Sequence, residues 1–367
     1  MTRSFQPKEV LIEEGAGSHG QTSLILENLH DVPVRDIKAE LDVSAGDVPP
    51  DLDKATLRLV TFKGEFLKPC PGTKEYICCG YQILHAGTNC PMDCSYCILQ
   101  AYFNQPSLRL FVNLEDELGR IGEIIDRNPE KYFRIGTGEF TDSLALDHIT
   151  GWSRILSGFF QGRKNGLLEF KTKTDRIEGL LSSPYRDRIV VSWSLNSPDM
   201  AASEEHGASS IKKRLLAAKK CQEEGYVTGF HFDPLIRHRD WKSGYMRTLE
   251  MMDELIDPKG IIWISLGCLR YMPSLKPIIR RRHPETHILD GEFINGLDGK
   301  MRYFKPIRIA FYHAMVRWIR ELAPEVTTYL CMEDEITWQQ SFGFTPESRG
   351  GLPAMLDDAA RRHCGVK

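Results

Sequence analysis

Residues 81–97 read YQILHAGTNCPMDCSYC. The apolar start, residues 81–84, fits a short buried strand. The loop behind it carries Cys90, Cys94 and Cys97 in C-x3-C-x2-C spacing, with an aromatic residue, Tyr96, before the last cysteine. Working outward, strand candidates recur at 132–135, 167–171, 189–195, 227–232 and 261–266. Helix-like stretches fall between them at 115–127, 146–160, 176–182, 210–224 and 244–256. Regular alternation of helices with Val/Ile-rich strands predicts an α/β fold built on a parallel sheet. Six repeats without an obvious seventh predict an open, partial (β/α)6 TIM-type barrel. In that geometry functional groups sit in the loops after the strands, where the cysteine loop falls.

The flanks read as smaller additions to this core of residues 80–290. Residues 1–79 form an N-terminal α/β section, with strands expected near 10–12 and 57–62, a helix at 22–29 and a loop at 43–52. Residues 291–367 form a C-terminal extension. It has a Gly-, Asp- and Asn-rich hairpin or lid at 291–304, an amphipathic helix at 309–322 and a short strand at 327–330.

Composition is that of a globular protein: 367 residues, 41% hydrophobic and 26% charged. A formal net charge of −3 gives no overall basic field to announce a nucleic-acid partner. The basic run at 279–283, IRRRH, reads by default as a solvated helix end. No apolar run approaches the roughly 20 residues of a membrane helix, and the start MTRSFQPKEV has no signal-peptide core. The expectation is a soluble, cytoplasmic protein without membrane contact. In a reducing compartment, its ten cysteines point to metal or catalysis before disulfides.

Thiolates are the usual ligands of iron–sulfur clusters. Cys90, Cys94 and Cys97 can hold three irons of a 4Fe–4S cubane and leave the fourth open to a chelating substrate. Two plainer readings stand beside this one. A zinc site wants four ligands, commonly as two C-x2-C pairs, and the nearby Cys70, Cys78 and Cys79 form no such pair. Three buried structural cysteines rarely crowd one loop.

The C-x3-C-x-aromatic-C motif resembles the signature of the radical S-adenosylmethionine superfamily. The wider stretch GTNCPMDCSYCILQAYFNQPSLRLFVNLED is similar to the spore photoproduct lyase branch. So are VVSWSLNS, KKCQEEGYVTGFHFDPLIRHRDWKSGY and RYFK, so that the likeness covers most of residues 80–305. The resemblance implies a partial (β/α)6 barrel, a 4Fe–4S cluster and S-adenosylmethionine as cofactors, and one-electron repair of a thymine–thymine adduct in DNA. It also implies a one-electron donor such as flavodoxin or ferredoxin. Tyr96 would contact the adenine. Gly136-Thr137-Gly138-Glu139 follows the second strand; its glycines would admit backbone close to a ligand, and its carboxylate would receive the cofactor's ammonium. Lys173 would meet the cofactor's carboxylate. Ser194 and Asn196 would hydrogen-bond ribose or methionine atoms, although either also suits a cap or turn. His231 and Asp233 close the fifth strand at the same face.

The resemblance breaks at one place. The lyases carry a cysteine after the second strand that hands a hydrogen atom to the product radical. Alignment on Asp147 and His148 puts Glu139 or Phe140 there instead. Cys268 and Tyr271, just past the sixth strand, are the expected replacement donors. Cys331 is less well placed, and Cys268 also suits a small buried hydrophobe. Arg302, Tyr303 and Lys305 resemble a lesion-contacting segment, cations beside aromatics that suit phosphates and unstacked bases. The leading expectation is thus a radical lyase acting on a damaged or modified DNA base. One alternative is an enzyme of the same branch acting on RNA, a peptide or a metabolite. The other is a non-catalytic iron–sulfur electron carrier or metal-binding protein.

Overall fold

Strands that are apolar on both faces need cover on both sides, and the chain meets that need with two sheets and a shell of helices. The computed structural model describes residues 5–38, 54–73, 75–103 and 105–364, so the loop expected at 43–52 lies outside the described residues. In the first section, β1 (Glu9–Glu13), β2 (Val34–Ile37) and β3 (Thr56–Val60) run parallel with β1 in the middle. Next come β4 (Leu67–Pro69) and β5 (Gln82–Leu84), an antiparallel pair at one edge of the large sheet. Then follow β6 (Gly87–Thr88), β7 (Asp93–Cys94) and β8 (Leu108–Phe111). β8 joins β3 in parallel and β6 lies antiparallel on β8. The cysteine loop is therefore clasped from behind by the N-terminal sheet.

The large sheet continues with β9 (Phe133–Gly136), β10 (Gly166–Thr172) and β11 (Ile189–Ser194). After β12 (Glu205–His206), a two-residue strand outside the sheet, come β13 (Val227–Leu235) and β14 (Ile261–Cys268). The order β4-β5-β9-β10-β11-β13-β14 follows the chain, and every pair after the first is parallel. Every residue of β11 and β14 is buried, as a sheet covered on both faces demands. All six predicted strands are present and in sequence order. A small antiparallel sheet follows, made of β15 (Arg270–Tyr271), β16 (Phe293–Asn295) and β17 (Met301–Tyr303), with β17 central. The expected hairpin at 291–304 is the antiparallel pair β16 and β17.

β18 (Thr327–Leu330) then returns to the large sheet, parallel to β14, as a seventh parallel strand. The sheet stays open, but its edges meet at the mouth: Ile77, just ahead of β5, donates its N–H to the carbonyl of Glu333, just past β18, at 3.0 Å. The helix expected over 146–160 is in fact two, Asp147–Thr150 and Trp152–Phe160. Gly151 between them takes φ +61°, and the Asp147 carboxylate accepts the N–H and hydroxyl of Ser153 at 2.7 and 2.6 Å. No helix among the described residues is long and apolar enough to cross a membrane.

Gly136 shows how tightly the sheet packs inside. A Cβ there would lie 1.6 Å from the Tyr81 hydroxyl, so the tyrosine occupies the space a side chain would need. Gly136→Ala should lower stability by about 1–3 kcal/mol, the usual cost of overpacking. Thermal unfolding would read this, and adding Tyr81→Phe should recover part of the loss.

Candidate active site

The C-terminal ends of the parallel strands converge on a cavity of about 360 Å³. Cys90, Cys94 and Cys97 line it, packed with Met92, Ala145 and Ala208. Burial pushes the Cys90 thiol up to about 12, and pushes Cys94 up as well. Among the described residues no three His, Cys, Asp or Glu side chains converge as the ligands of one ion would. A cubane asks for something else, because each thiolate binds its own iron. Three soft donors on one apolar-backed loop fit that demand.

The loop is held by contacts far away in sequence. β7 pairs antiparallel with β12, which sets Cys94 opposite Glu205. Ser95 donates its N–H to the Glu204 carbonyl at 2.9 Å, its hydroxyl to the Glu204 carboxylate, and Tyr96 its phenol to Glu205. Glu205 in turn pairs with Arg214, both side chains essentially sealed from solvent. Arg214 also donates to the carbonyls of Ser209 and Ser194, each at 2.8 Å. Burial alone would raise the Glu205 carboxyl, but the Arg214 and Lys173 cations hold it below the usual carboxylate range. On the other flank Asp93 meets Lys54 at 2.9 Å and Arg282 at 2.8 Å. His283 stacks on His206 with centroids 5.5 Å apart. The basic run at 279–283 is therefore only partly solvated, since Arg282 and His283 turn inward against the loop.

The cavity wall opposite comes from alternate residues of β10. Glu169, Lys171 and, just beyond the strand, Lys173 share its inner face. The Glu169 Oε1 accepts Trp263 Nε1 at 2.9 Å, His231 Nε2 at 2.9 Å and the Ser192 hydroxyl. Desolvation works against this carboxylate, yet the His231 imidazole and these hydrogen bonds bring it down to about 2. Lys171 pairs with Glu139. Burial opposes its charge, but the Glu139, Glu169 and Asp233 carboxylates outweigh that and hold it above the ordinary lysine value. Arg270 grips Asp233 through two bonds of 3.1 and 3.0 Å. Asp142 accepts from Leu144, Ala145 and Thr172 on one oxygen and from the Lys173 N–H on the other at 2.8 Å, fixing the start of that wall.

Of the residues singled out from sequence, Tyr96, Gly138, Glu139, Lys173, Ser194, His231 and Asp233 line this cavity with the three cysteines. The Lys173 ammonium sits 5.8 Å from the centre of the Tyr96 ring. Gly136 does not line it, because it makes room for Tyr81. Asn196 is also displaced from the site: its amide is spent on Ser197, Tyr245 and the Pro234 carbonyl.

The expected donors need correcting. Cys268 is buried on the far face of β14, where its N–H meets the Tyr312 hydroxyl at 2.8 Å. Ser265 and Gly267 face the cavity side, so the next residue along must face away. Tyr271 is buried in the small sheet against Phe293. The lesion-contacting segment also needs correcting, since β17 is the central strand of its sheet. Arg302 is 2% exposed, bonded to Asp298 at 2.7 Å and laid over the Tyr76 ring. Tyr303 is 1% exposed, stacked on Phe293, with its hydroxyl receiving the Arg237 N–H. Lys305 pairs with Asp334 at 3.1 Å. Lys300, from the same hairpin, is the basic residue that reaches the cavity.

Sequence reasoning missed Glu169, Lys171, Asp142, Glu205, Arg214 and Arg270. A signal was there for two of them: charges two residues apart in the apolar strand LLEFKT must share a face, and a solvent face was not on offer.

The family model for spore photoproduct lyase matches residues 75–305, more than half of the chain. A spore photoproduct lyase of a Geobacillus strain is 27% identical over 248 residues, 66% of this chain and 71% of its own length. That of Bacillus subtilis is 28% identical over 209 residues, 56% of this chain and 61% of its own length. Among solved structures, a spore photoproduct lyase mutant with bound S-adenosylmethionine and dinucleoside spore photoproduct superposes with a TM-score of 0.78. It is 23% identical and covers 90% of this chain and 100% of that one. A spore photoproduct lyase complexed with dinucleoside spore photoproduct gives 0.78 at 24% identity, over 89% and 99%. These likenesses establish the half-barrel fold.

Two outcomes are expected. Arg214→Met leaves Glu205 buried without its partner, which should cost about 3–5 kcal/mol in urea unfolding. It should also reduce iron bound after anaerobic reconstitution, because the loop's anchor is lost. Glu169, with its carboxyl depressed from 4.5 to about 2, contributes stability that is whole above pH 4.5 and lost as pH falls toward 2. Stability measured across that window should therefore fall more steeply in the wild type than in Glu169→Gln.

Proposed function

The chain belongs to the spore photoproduct lyase family, and from that premise we propose that it is a radical S-adenosylmethionine lyase acting on a thymine–thymine photoproduct in DNA. The observation that carries the reading is one cavity lined by three cysteines of a single loop and by paired charges of both signs. When bound, a 4Fe–4S cluster supplies the electron that cleaves S-adenosylmethionine and yields a 5′-deoxyadenosyl radical.

Cys90, Cys94 and Cys97 would hold the cluster. Glu139 and Asp142 offer carboxylates to an ammonium group, and Lys173 and Lys171 offer cations to a carboxylate, so a zwitterionic amino-acid end finds both signs within one wall. Tyr96, with its hydroxyl committed to Glu205, presents a fixed ring to the cavity. Glu169 and His231 keep each other and Ser265 in place, and so set the floor on which a ligand rests. The bridge between Ile77 and Glu333 narrows the cavity on one side, which limits water there around a reactive intermediate. A reductant of the ferredoxin or flavodoxin class is the proposed electron source. An electron carrier alone would have no use for so polar a cavity.

A second reading, a different substrate for the same chemistry, draws on one observation. Neither residue matched to the lyases' hydrogen-donating cysteine offers a thiol: Glu139 is paired with Lys171, and Phe140 packs on His85 and Tyr102.

The test is anaerobic reconstitution followed by chromatography for 5′-deoxyadenosine. The wild type should form it with dithionite and S-adenosylmethionine, and the triple variant Cys90→Ala, Cys94→Ala, Cys97→Ala should not. Adding dinucleoside spore photoproduct should release thymidine. Cleavage of the cofactor without thymidine release would favour the second reading, and no cleavage by a protein with its full iron content would end both.

A further inference from the structure

Three thiols outside the cysteine loop line the same cavity: Cys70, Cys79 and Cys331. They come from opposite edges of the open sheet. Cys70 and Cys79 lie between β4 and β5 and Cys331 follows β18, and the bridge between Ile77 and Glu333 draws the two edges together. A polar wall is built around them. Arg270 donates to the Cys331 sulfur at 3.4 Å while gripping Asp233. Tyr329, two residues earlier and so on the same face, is 8% exposed; its hydroxyl makes no hydrogen bond among the described residues. That hydroxyl opens on the cavity, where it can hydrogen-bond a ligand or water.

We propose that Cys331 is the hydrogen-atom donor that quenches the carbon radical left on the product base. The assignment rests on the radical lyase reading above. The adenosyl radical first takes a hydrogen atom from one base of the adduct and becomes 5′-deoxyadenosine. The C–C bond joining the two thymines then breaks homolytically, and the base that lost the hydrogen leaves as a closed-shell thymine. The other keeps an unpaired electron on carbon. It becomes thymine only by forming a C–H bond, and the S–H bond of Cys331 supplies that hydrogen atom and breaks. The resulting thiyl radical returns to thiol by taking one electron from the ferredoxin- or flavodoxin-class reductant and one proton from solvent. Atoms and electrons then balance over the cycle.

The choice of Cys331 among the three follows from how each thiol is held. Cys79 lies in the irregular segment ahead of β5, outside any strand. Cys70 rides on the loop after edge strand β4, in a turn closed by the Gly72 N–H on its own carbonyl at 2.7 Å. Cys331 extends the β18 ladder, its N–H on the Leu266 carbonyl at 2.9 Å, so its backbone is set by the sheet. Groups carried by regular elements are positioned more closely than groups on loops. Its sulfur accepts from Arg270, which leaves its own hydrogen without an acceptor among the described residues. Burial pushes it up to about 12, so it stays a thiol and not a thiolate at neutral pH. A thiolate has no hydrogen atom to give.

The experiment runs the reconstituted enzyme on dinucleoside spore photoproduct in deuterium oxide, where thiols exchange to S–D. Wild-type protein should place deuterium on the released thymidine. Cys331→Ser, nearly isosteric but with a far stronger O–H bond, should keep 5′-deoxyadenosine formation and lose the label, with by-products in place of thymidine. Cys70→Ser should keep the label. A label that persists in Cys331→Ser, or disappears only in Cys70→Ser, overturns the proposal and leaves the radical reading standing. No 5′-deoxyadenosine or no thymidine from the wild type overturns that reading and the proposal with it. Independently of turnover, methyl methanethiosulfonate should modify Cys331 in the anaerobic protein before Cys268, as read by mass spectrometry. The reverse order would place the thiol outside the cavity and overturn the assignment.

Discussion

The buried pair between Glu205 and Arg214 is what the cysteine loop hangs on. Three cysteines on one short loop have little intrinsic order, and a cavity wall made of them needs an anchor outside the loop. Glu205 serves three ways: its backbone pairs with Cys94, its carboxylate receives Tyr96, and the same carboxylate neutralises Arg214. Arg214 passes the constraint on to the end of β11 through the Ser194 carbonyl. The loop is thereby registered against the barrel strands that furnish the opposite wall. Burying such a pair is worthwhile only when both partners are fully bonded, and here both are.

The second organising feature is the inward charge on β10. Placing Glu169 and Lys171 inside a parallel sheet is costly unless each finds partners. The structure supplies Trp263, Ser192 and His231 to the one and Glu139 to the other. The result is a polar floor in an otherwise apolar barrel, with charges held in place before any ligand arrives. Preorganisation of this kind removes a cost from binding.

The strand–helix alternation carried most of the architecture in the sequence, because buried strands separated by helices have few other solutions. β18 was recognised as a strand but assigned to the extension. TTYL is short, and nothing local tells it that its partner is β14, beyond two helices and the whole small sheet. Side-chain direction was the harder problem. In IIWISLGC every position is apolar or small, so no alternation reveals which face looks inward, and Cys268 was assigned the wrong one. Cys331 was underrated for the same reason, since the inward face of β18 is set by its pairing and not by its residues. Arg302 and Tyr303 read as exposed because cations beside aromatics suit a binding surface equally well. Only the central position of β17 shows that they are core. Cys90, Cys94 and Cys97 stand out in the sequence by their spacing, and the structure brings all three to one cavity.

The latch between Ile77 and Glu333 also bears on how the molecule assembles. It joins chain segments near the beginning and near the end of the barrel, across an interval that includes all the central strands. Closing so long a loop costs chain entropy that is recovered only after those strands have paired. The cysteine loop and the clasp around it form from earlier chain. The wall that holds Cys331 therefore has to be completed last. A chain ending before β18 would keep the three-cysteine loop and lose the wall that carries Tyr329 and Cys331, which makes the C-terminal segment the one that completes the cavity.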